Sequence, residues 1–376
     1  DFEVGKRHNL TPINILTTTA HLNENVPVAY QGLSVDQARK KVLEDLGELL
    51  VKIEPTQQTI PHGDRSNAVI QPYLTDQWFV DAKTLAAPTL EAVKSGEIQI
   101  IPENWAKTYF GWLENIQPWC ISRQLWWGHR LPMYTCEKCH HVHCEEEAPI
   151  KCEKCQHNEL KQDADVIDTW ASSWLWPFGV HGWADPTEQQ KKDLAYYYPT
   201  DVLVTGADII FFWIARMVMA GEYFLKQTPF HTCYFTPIIR DATGRKMSKS
   251  LGNSPDVVGI MKQYGTDALR FSLVNQVAPG QDIFWKDESC ELGKTFANKV
   301  WNAARFLTMN LDGFKIERSE FSFDCLTKEM ENKFAKTKDD PVLTWIISEF
   351  LRLVQNCRHH IDAFEFSQLT SQIYEF

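Results

Sequence analysis

No apolar run in the 376 residues approaches the roughly 18 that a membrane-spanning helix needs, so no membrane partner is expected. Positive charge is also scarce. Lys and Arg total 38 against 49 Asp and Glu, a formal net charge of −11. That balance excludes a protein held to nucleic acid by its overall field, and any such contact must use local basic patches. The first residue is Asp1, with neither Met nor a signal-like start, which suggests a piece of a longer chain. Disorder is excluded by an aromatic content of 12% that includes 14 tryptophans. The length suits two or three domains. Of the ten cysteines, four stand in two Cys-x-x-Cys units, which points to metal in a reducing compartment rather than to disulfides. A cytoplasmic setting is expected.

Cations are concentrated in one stretch. Between Arg240 and Leu251 lie Arg240, Arg245, Lys246 and Lys249, with serine hydroxyls, a single acid and glycines on either side. Such a loop reads as a mobile clamp. Lys246 and Lys249 can close on a polyphosphate and neutralise charge that grows as a phosphate bond breaks. Ser248, Ser250 and free backbone N–H groups supply further donors. The plain alternative is a solvated basic loop.

The rest of the chain offers a framework. Ile13-Asn14-Ile15-Leu16 reads as a strand, and Ser34-Val35-Asp36-Gln37 as a capping box opening a helix with Val35, Ala38, Val42, Leu46 and Leu49 on one face. Pro55, Pro61, Gly63 and Pro72 break the path and place a seam between about 55 and 75. Cys136-Glu137-Lys138-Cys139 and Cys152-Glu153-Lys154-Cys155 can close one tetrahedral S₄ zinc site, which would be structural because no position is left open. His140, His141, His143 and Cys144 compete as ligands, and two redox pairs are the other reading. Asp201-Val202-Leu203-Val204-Thr205-Gly206 predicts a buried parallel strand, followed by an apolar helix from Ala207 to about Leu225. A glycine there lets a ligand approach the backbone, and Asp208 can accept from a ribose hydroxyl or an ammonium. Residues 288–310 predict an amphipathic helix with Leu292, Phe296, Val300, Ala304 and Leu307 inward. Asp340-Pro341 starts another, with Leu343, Ile346, Phe350, Val354, Cys357 and Ile361 on one face.

Several strings resemble the valyl, isoleucyl and leucyl group of class I aminoacyl-tRNA synthetases, and within it the valyl enzymes. Lys246-Met247-Ser248-Lys249-Ser250 is identical to a signature of that class. Ile121-Ser122-Arg123-Gln124-Leu125-Trp126-Trp127-Gly128-His129-Arg130 and Asp168-Thr169-Trp170-Ala171-Ser172-Ser173 are similar to two further elements. Glu3 to Leu10 resembles the close of an editing domain, and Gly63 to Phe79 the return from it.

The resemblance implies an α/β fold: the second half of a Rossmann-like catalytic domain with a zinc-ribbon insertion. The end of a β-rich editing domain would precede it and the start of an α-helical bundle would follow. Residues 1–72 would be the editing tail and linker, 73–290 the catalytic half, and 291–376 the first anticodon-binding helices. The ribbon would span about 131–162 and the clamp loop 240–254. It further implies activation of valine with ATP and Mg²⁺, transfer to tRNA(Val), and editing of threonine. Catalytic roles fall to Lys246, Lys249, Ser248 and Ser250, and ATP binding to Gly206, Asp208, Met247 and Lys249. The amino-acid pocket would use Trp170, Asp208 and Ile209. No protein partner is implied, and the whole enzyme is expected to be a monomer. Departures are Ala171 for Phe, Leu251 for Lys, and Pro237 for Gly, which removes an N–H near the nucleotide. No His-x-Gly-His occurs, so this chain is expected to be inactive alone. The rival readings are a non-catalytic tRNA-binding or assembly module and an isoleucyl enzyme.

Overall fold

The computed structural model describes residues 2–63, 66–248, 251–278, 280–311 and 340–376. The chain divides into two compact units, Asp1–Trp78 and Phe79–Phe376. The first contains α1 (Phe2–Arg7) and α2 (Val35–Leu46). Ser34 accepts from the Gln37 N–H while the Gln37 side chain accepts from the Ser34 N–H, so the capping box forms. The strand expected at Ile13–Leu16 does not; Leu16 makes only an isolated bridge to Leu22. Asparagine amides are the cause. Asn23 and Asn25 both donate to the Asn14 carbonyl, at 2.9 and 2.8 Å, and Asn14 Oδ1 accepts from the Leu16 N–H. Side chains have taken groups that a ladder would need. Leu10, Ile13, Leu16, Val35, Val42 and Leu74 line an open apolar hollow of about 1060 Å³ in this unit.

The second unit begins with β1 (Phe79–Val80), α3 (Ala82–Lys94), β2 (Gln99–Ile101), α4 (Asn104–Glu114), β3 (Trp119–Cys120) and β4 (Ser122–Arg123). Next, β5 (Met133–Cys136), β6 (Val142–Cys144) and β7 (Leu160–Gln162) make a small antiparallel sheet with β5 central. Strand β8 (Val166–Ile167) returns to pair with β4. Short helices α5 (Thr169–Ser173), α6 (Trp176–Gly179) and α7 (Glu188–Tyr197) lead to β9 (Thr200–Gly206). An irregular helix over residues 207–225 follows, α-helical only in α8 (Ala215–Ala220), and Lys226 ends it in the left-handed region at φ 57°. Strand β10 (Phe230–Thr236) then pairs parallel with both β2 and β9.

This parallel sheet, in the order β2–β10–β9, is the frame of the site. Phe230, Cys233 and Phe235 on β10 pack with Tyr109, Leu113, Phe178, Ile214 and Met217 into the main core. Burying each large apolar side chain contributes about 1.5–3 kcal/mol. The expectation that β9 is buried needs correction: Val202 is 40% and Val204 59% exposed. Among the described residues β9 pairs on one side only, so it is an edge strand.

Past β10, β11 (Ile239–Arg240) pairs parallel with β12 (Ile283–Phe284), and α9 (Val257–Tyr264) and α10 (Thr266–Asn275) lie between them in sequence. Helices α11 (Cys290–Asn310), α12 (Pro341–Asp362) and α13 (Phe366–Glu375) complete the unit. Asp340 caps α12 by accepting from the N–H groups of Val342 and Leu343. The inward face expected on α11 holds only near its start. Phe296 packs against Phe271 and Tyr374, whereas Leu292, Val300, Ala304 and Leu307 are exposed. On α12, Phe350, Val354 and Cys357 are half-buried while Leu343, Ile346 and Ile361 are exposed. In both helices the apolar stripe extends beyond what the described residues cover.

Candidate functional site

The clamp loop is built on the one acid it contains. Asp241 Oδ1 accepts from the Thr243 N–H, the Thr243 hydroxyl and the Arg245 N–H at 3.0, 2.7 and 2.9 Å. Its Oδ2 accepts from Arg245 Nε at 3.0 Å and Asn253 Nδ2 at 2.8 Å. Asn253, then Thr243 and the loop backbone, hold this carboxyl far below the usual range against the cost of desolvation. Asn253 also accepts from the Ser248 N–H at 2.8 Å, and Ser248 Oγ accepts from the Leu251 N–H at 3.2 Å. Sequence reasoning counted Asp241 only as a subtraction from the positive charge. The signal available was its place beside Gly244, where a short acid commonly ties a turn to itself.

Lys246 leaves this loop and pairs with the Asp208 carboxylate. That joins two residues named from the sequence, 38 positions apart, at the carboxyl end of β9. Gly206 lies close against the pair, since a Cβ there would stand 2.8 Å from Asp208 Oδ1 and 3.3 Å from Ile238 Cδ1. Beside the pair is a cavity of about 260 Å³ lined by Asp208, Trp105, Phe211, Phe235, Pro237 and Arg240, among others. Arg240 is fixed there by an ion pair with Asp282, which also accepts from the Ile238 N–H at 3.2 Å. Met247 is partly buried against a second core of Ile260, Leu269, Ile283, Trp285 and Cys290. Lys249 and Ser250 lie outside the described residues.

Trp170 and Ile209 are not among the residues that line the cavity. Trp170 stacks on Phe212 at 5.6 Å. Two residues before Trp170 is a buried polar group to which the sequence reading gave no role. Asp168 accepts from Trp119 Nε1 at 3.1 Å and pairs with Arg123 at 3.0 Å. Arg216 lies 3.8 Å over the Trp119 ring and 5.0 Å from the Trp112 ring. Burial brings the Arg216 guanidinium down to about 10, with Asp168 acting in the opposite sense. Ser122 is buried beneath this network, while Trp126 and Trp127 are exposed.

The four knuckle cysteines converge, their sulfurs all within 4.8 Å of one another. Cys136 and Cys155 are 3.5 Å apart, and Cys139 and Cys152 are 3.6 Å apart. Four sulfurs this close cannot all ionise without a cation between them. The thiol chemistry reflects that. At Cys152 burial opposes ionisation, but the Cys155 N–H, His143 and the Lys154 N–H bring the thiol to about 5. At Cys155 the His157 N–H favours the thiolate, yet burial and the three neighbouring sulfurs push the thiol to about 12. The donor set fits a closed tetrahedral ion. Of the competing residues, His140 and Cys144 are exposed and stand outside the cluster, while His141, His143 and Glu153 form a second group beside it.

Comparison with known proteins follows the same lines. The family described as tRNA synthetases class I (I, L, M and V) matches residues 25–286. The valine–tRNA ligase of Clostridium tetani is 45% identical over 379 residues, covering 100% of this chain and 41% of that protein. That of Bdellovibrio bacteriovorus is 45% identical, and that of Thermotoga maritima 44%, each with the same coverage. The chain thus spans about two fifths of the curated relatives it matches. Among solved structures, Mycobacterium tuberculosis methionyl-tRNA synthetase in complex with methionyl-adenylate superposes with a TM-score of 0.53 at 21% identity, covering 84% of this chain and 53% of that one. The Agrobacterium radiobacter LeuRS–tRNA–LeuAMS ternary complex gives 0.51 at 21% identity, covering 69% and 36%. These likenesses show a shared α/β fold.

Proposed function

We propose, from the premise that this chain belongs to the class I tRNA synthetases of the I, L, M and V group, that it is the part of a valine–tRNA ligase where valine and ATP meet. The observation that carries the reading is the pairing of Lys246 with Asp208, which draws a cationic loop to the carboxyl end of a parallel strand. Ligands of open parallel sheets bind at that end. In the reaction, a valine carboxylate oxygen attacks the α-phosphorus of Mg-ATP, and the bond to pyrophosphate breaks. Lys246 and Lys249, helped by Ser248 and Ser250, neutralise the leaving pyrophosphate. Asp208 accepts from a ribose hydroxyl or the valine ammonium, and Gly206 keeps the backbone accessible. Trp170 and Ile209 shape a pocket for a short branched side chain. Catalysis then rests on positioning and charge, with no covalent nucleophile. The acceptor is tRNA(Val). An apolar pocket rejects an isostere that carries a hydroxyl in place of a methyl by only about 10²-fold, so removal of mischarged threonine belongs to an editing domain whose end is residues 1–72. Residues 73–290 supply the catalytic half, and 291–376 open the anticodon-binding helices. Cys136, Cys139, Cys152 and Cys155 would hold a zinc ion that pins the ribbon.

Valine-dependent ATP–pyrophosphate exchange tests this reading, on the present chain and on one extended upstream to include a His-x-Gly-His segment. Exchange confined to the extended protein and fastest with valine, against isoleucine and threonine, is the expected result. Fastest exchange with isoleucine would overturn the substrate. No exchange in either, with tRNA still bound, would make this a binding module instead.

A further inference from the structure

Four cations lie between Arg240 and Leu251, and the lysines alone have a role in the proposed reaction. The two arginines are held differently. Arg245 ties back to Asp241 of its own turn, with Nε 3.0 Å from Oδ2, and is not among the residues that line the cavity beside Asp208. Arg240 does line it. From β11, its Nε donates to the Asp282 carboxylate and its Nη1 to the Gly244 carbonyl at 3.3 Å. The Arg240 carbonyl accepts from the Trp285 N–H at 2.9 Å, so backbone and side chain are both fixed. Among the described residues Nη2 has no hydrogen-bond partner, and the side chain is 33% exposed. The two N–H groups on that nitrogen are left for a ligand, on a guanidinium whose other end is anchored.

The neighbour of Arg240 indicates which ligand. Arg240 and Lys246 form an isolated antiparallel bridge. Opposed residues of such a pair project from one face with Cβ atoms about 5 Å apart, where like charges repel. Each cation here has its own acid, Asp282 for Arg240 and Asp208 for Lys246. Among the described residues the Lys246 ammonium contacts Asp208 alone, so it is the freer of the two. A fixed fork beside a mobile point charge suits a polyphosphate, whose oxygens accept from both.

We propose that Arg240 donates Nη2–H to the pyrophosphate that leaves in valine activation, as the fixed partner of Lys246, with Asp282 as the positioning residue that aims it. This rests on the reading of the site as the place where valine and ATP meet. Lys246 must give up Asp208 to reach that group, whereas Arg240 keeps both Asp282 and Gly244.

ATP–pyrophosphate exchange in the upstream-extended protein tests the reading first and the inference second. A parent without exchange overturns the reading of the site and the inference with it. With exchange established, Arg240→Gln should raise the KM for pyrophosphate about 10–100-fold, the worth of one charge-assisted hydrogen bond, and leave the KM for valine within about 2-fold. Arg240→Lys keeps the charge but cannot serve Asp282 and a phosphate together, so it should recover only part of the loss. The double variant Arg240→Gln/Asp282→Asn leaves no orphan acid and should keep the full defect; it carries the test if the single variant does not fold. A parental KM in the double variant would trace the loss to an unpaired Asp282. An equal rise in both KM values would trace it to the fold. Either result, or an unchanged KM for pyrophosphate in Arg240→Gln, overturns the proposal.

Discussion

Two helical glycines invite the same substitution and should respond with opposite sign. Gly111 lies in α4 and Gly293 in α11. Alanine is favoured over glycine in a helix interior by about 1 kcal/mol. At Gly111 an added Cβ meets nothing within 4 Å, so Gly111→Ala should collect that gain. At Gly293 the Cβ would stand 2.5 Å from the Ala268 carbonyl oxygen, 2.9 Å from Ser272 Oγ and 3.0 Å from Ala268 Cα. Two of those atoms are backbone of α10 and cannot rotate away. Separating the helices also strains the 2.9 Å bond from Ser272 Oγ to the Ser289 carbonyl. Overpacking costs about 1–3 kcal/mol and a strained hydrogen bond about 1 kcal/mol more. Subtracting the propensity gain leaves Gly293→Ala destabilised by about 1–3 kcal/mol. For a unit of this size that is a fall of several degrees in melting temperature, at about 2–4 °C per kcal/mol. Differential scanning fluorimetry of the two variants against the parent provides the measurement. If Gly293→Ala melts at or above Gly111→Ala, the close approach of α10 and α11 is wrong.

Three further outcomes are expected. The Glu222 carboxyl is raised, first by burial and then by the charge of Glu97. A raised carboxyl binds more protons folded than unfolded, so stability falls as pH rises from its ordinary value of 4.5 through the folded value. Glu222→Gln should therefore gain on the parent across that window and hold the gain at pH 7, as followed by urea unfolding; a constant difference at every pH would count against the burial. Chelation of metal should open the ribbon to trypsin at Lys138, Lys151 and Lys154 while leaving cleavage in α3 and α4 unchanged. Asp241→Asn turns an NH₂ toward Arg245 Nε and Asn253 Nδ2, so amide exchange in residues 241–248 should quicken, whereas Asp241→Glu should be milder.

Features set by neighbours in sequence were legible from it. The Ser34 and Asp340 caps, the two cysteine knuckles and the end of the apolar helix at Leu225 all follow from residues a few positions apart. Lys246 and Asp208 were each read as site residues, Lys246 at the pyrophosphate and Asp208 at the ribose or ammonium, but their pairing was not foreseen. What escaped was set across distance. Asp168 finds Trp119 49 positions away, and Arg216 finds Trp112 and Trp119 across the core, so the string that contains Asp168 gave no sign of these partners. Strand periodicity misled at Ile13–Leu16 because asparagine amides competed for the backbone. It also misled on α11, since an apolar stripe shows that a face seeks cover without showing what supplies it.

The register of the parallel sheet also bears on how the chain assembles. Phe230 of β10 pairs with Thr200 of β9, while Thr232 pairs with Gln99 of β2, so the second contact closes a loop more than two doublings longer. Each doubling costs only about 0.6 kcal/mol in loop entropy, yet that is enough to rank the events. Strands β9 and β10 with the helix between them are therefore expected to form first, with β2 joining after residues 102–199 have been gathered in. The cysteine ribbon lies wholly within that late loop. Pulse-labelled hydrogen exchange during refolding should therefore protect the amides of β10 facing β9 before those facing β2, and metal capture should proceed independently of sheet closure.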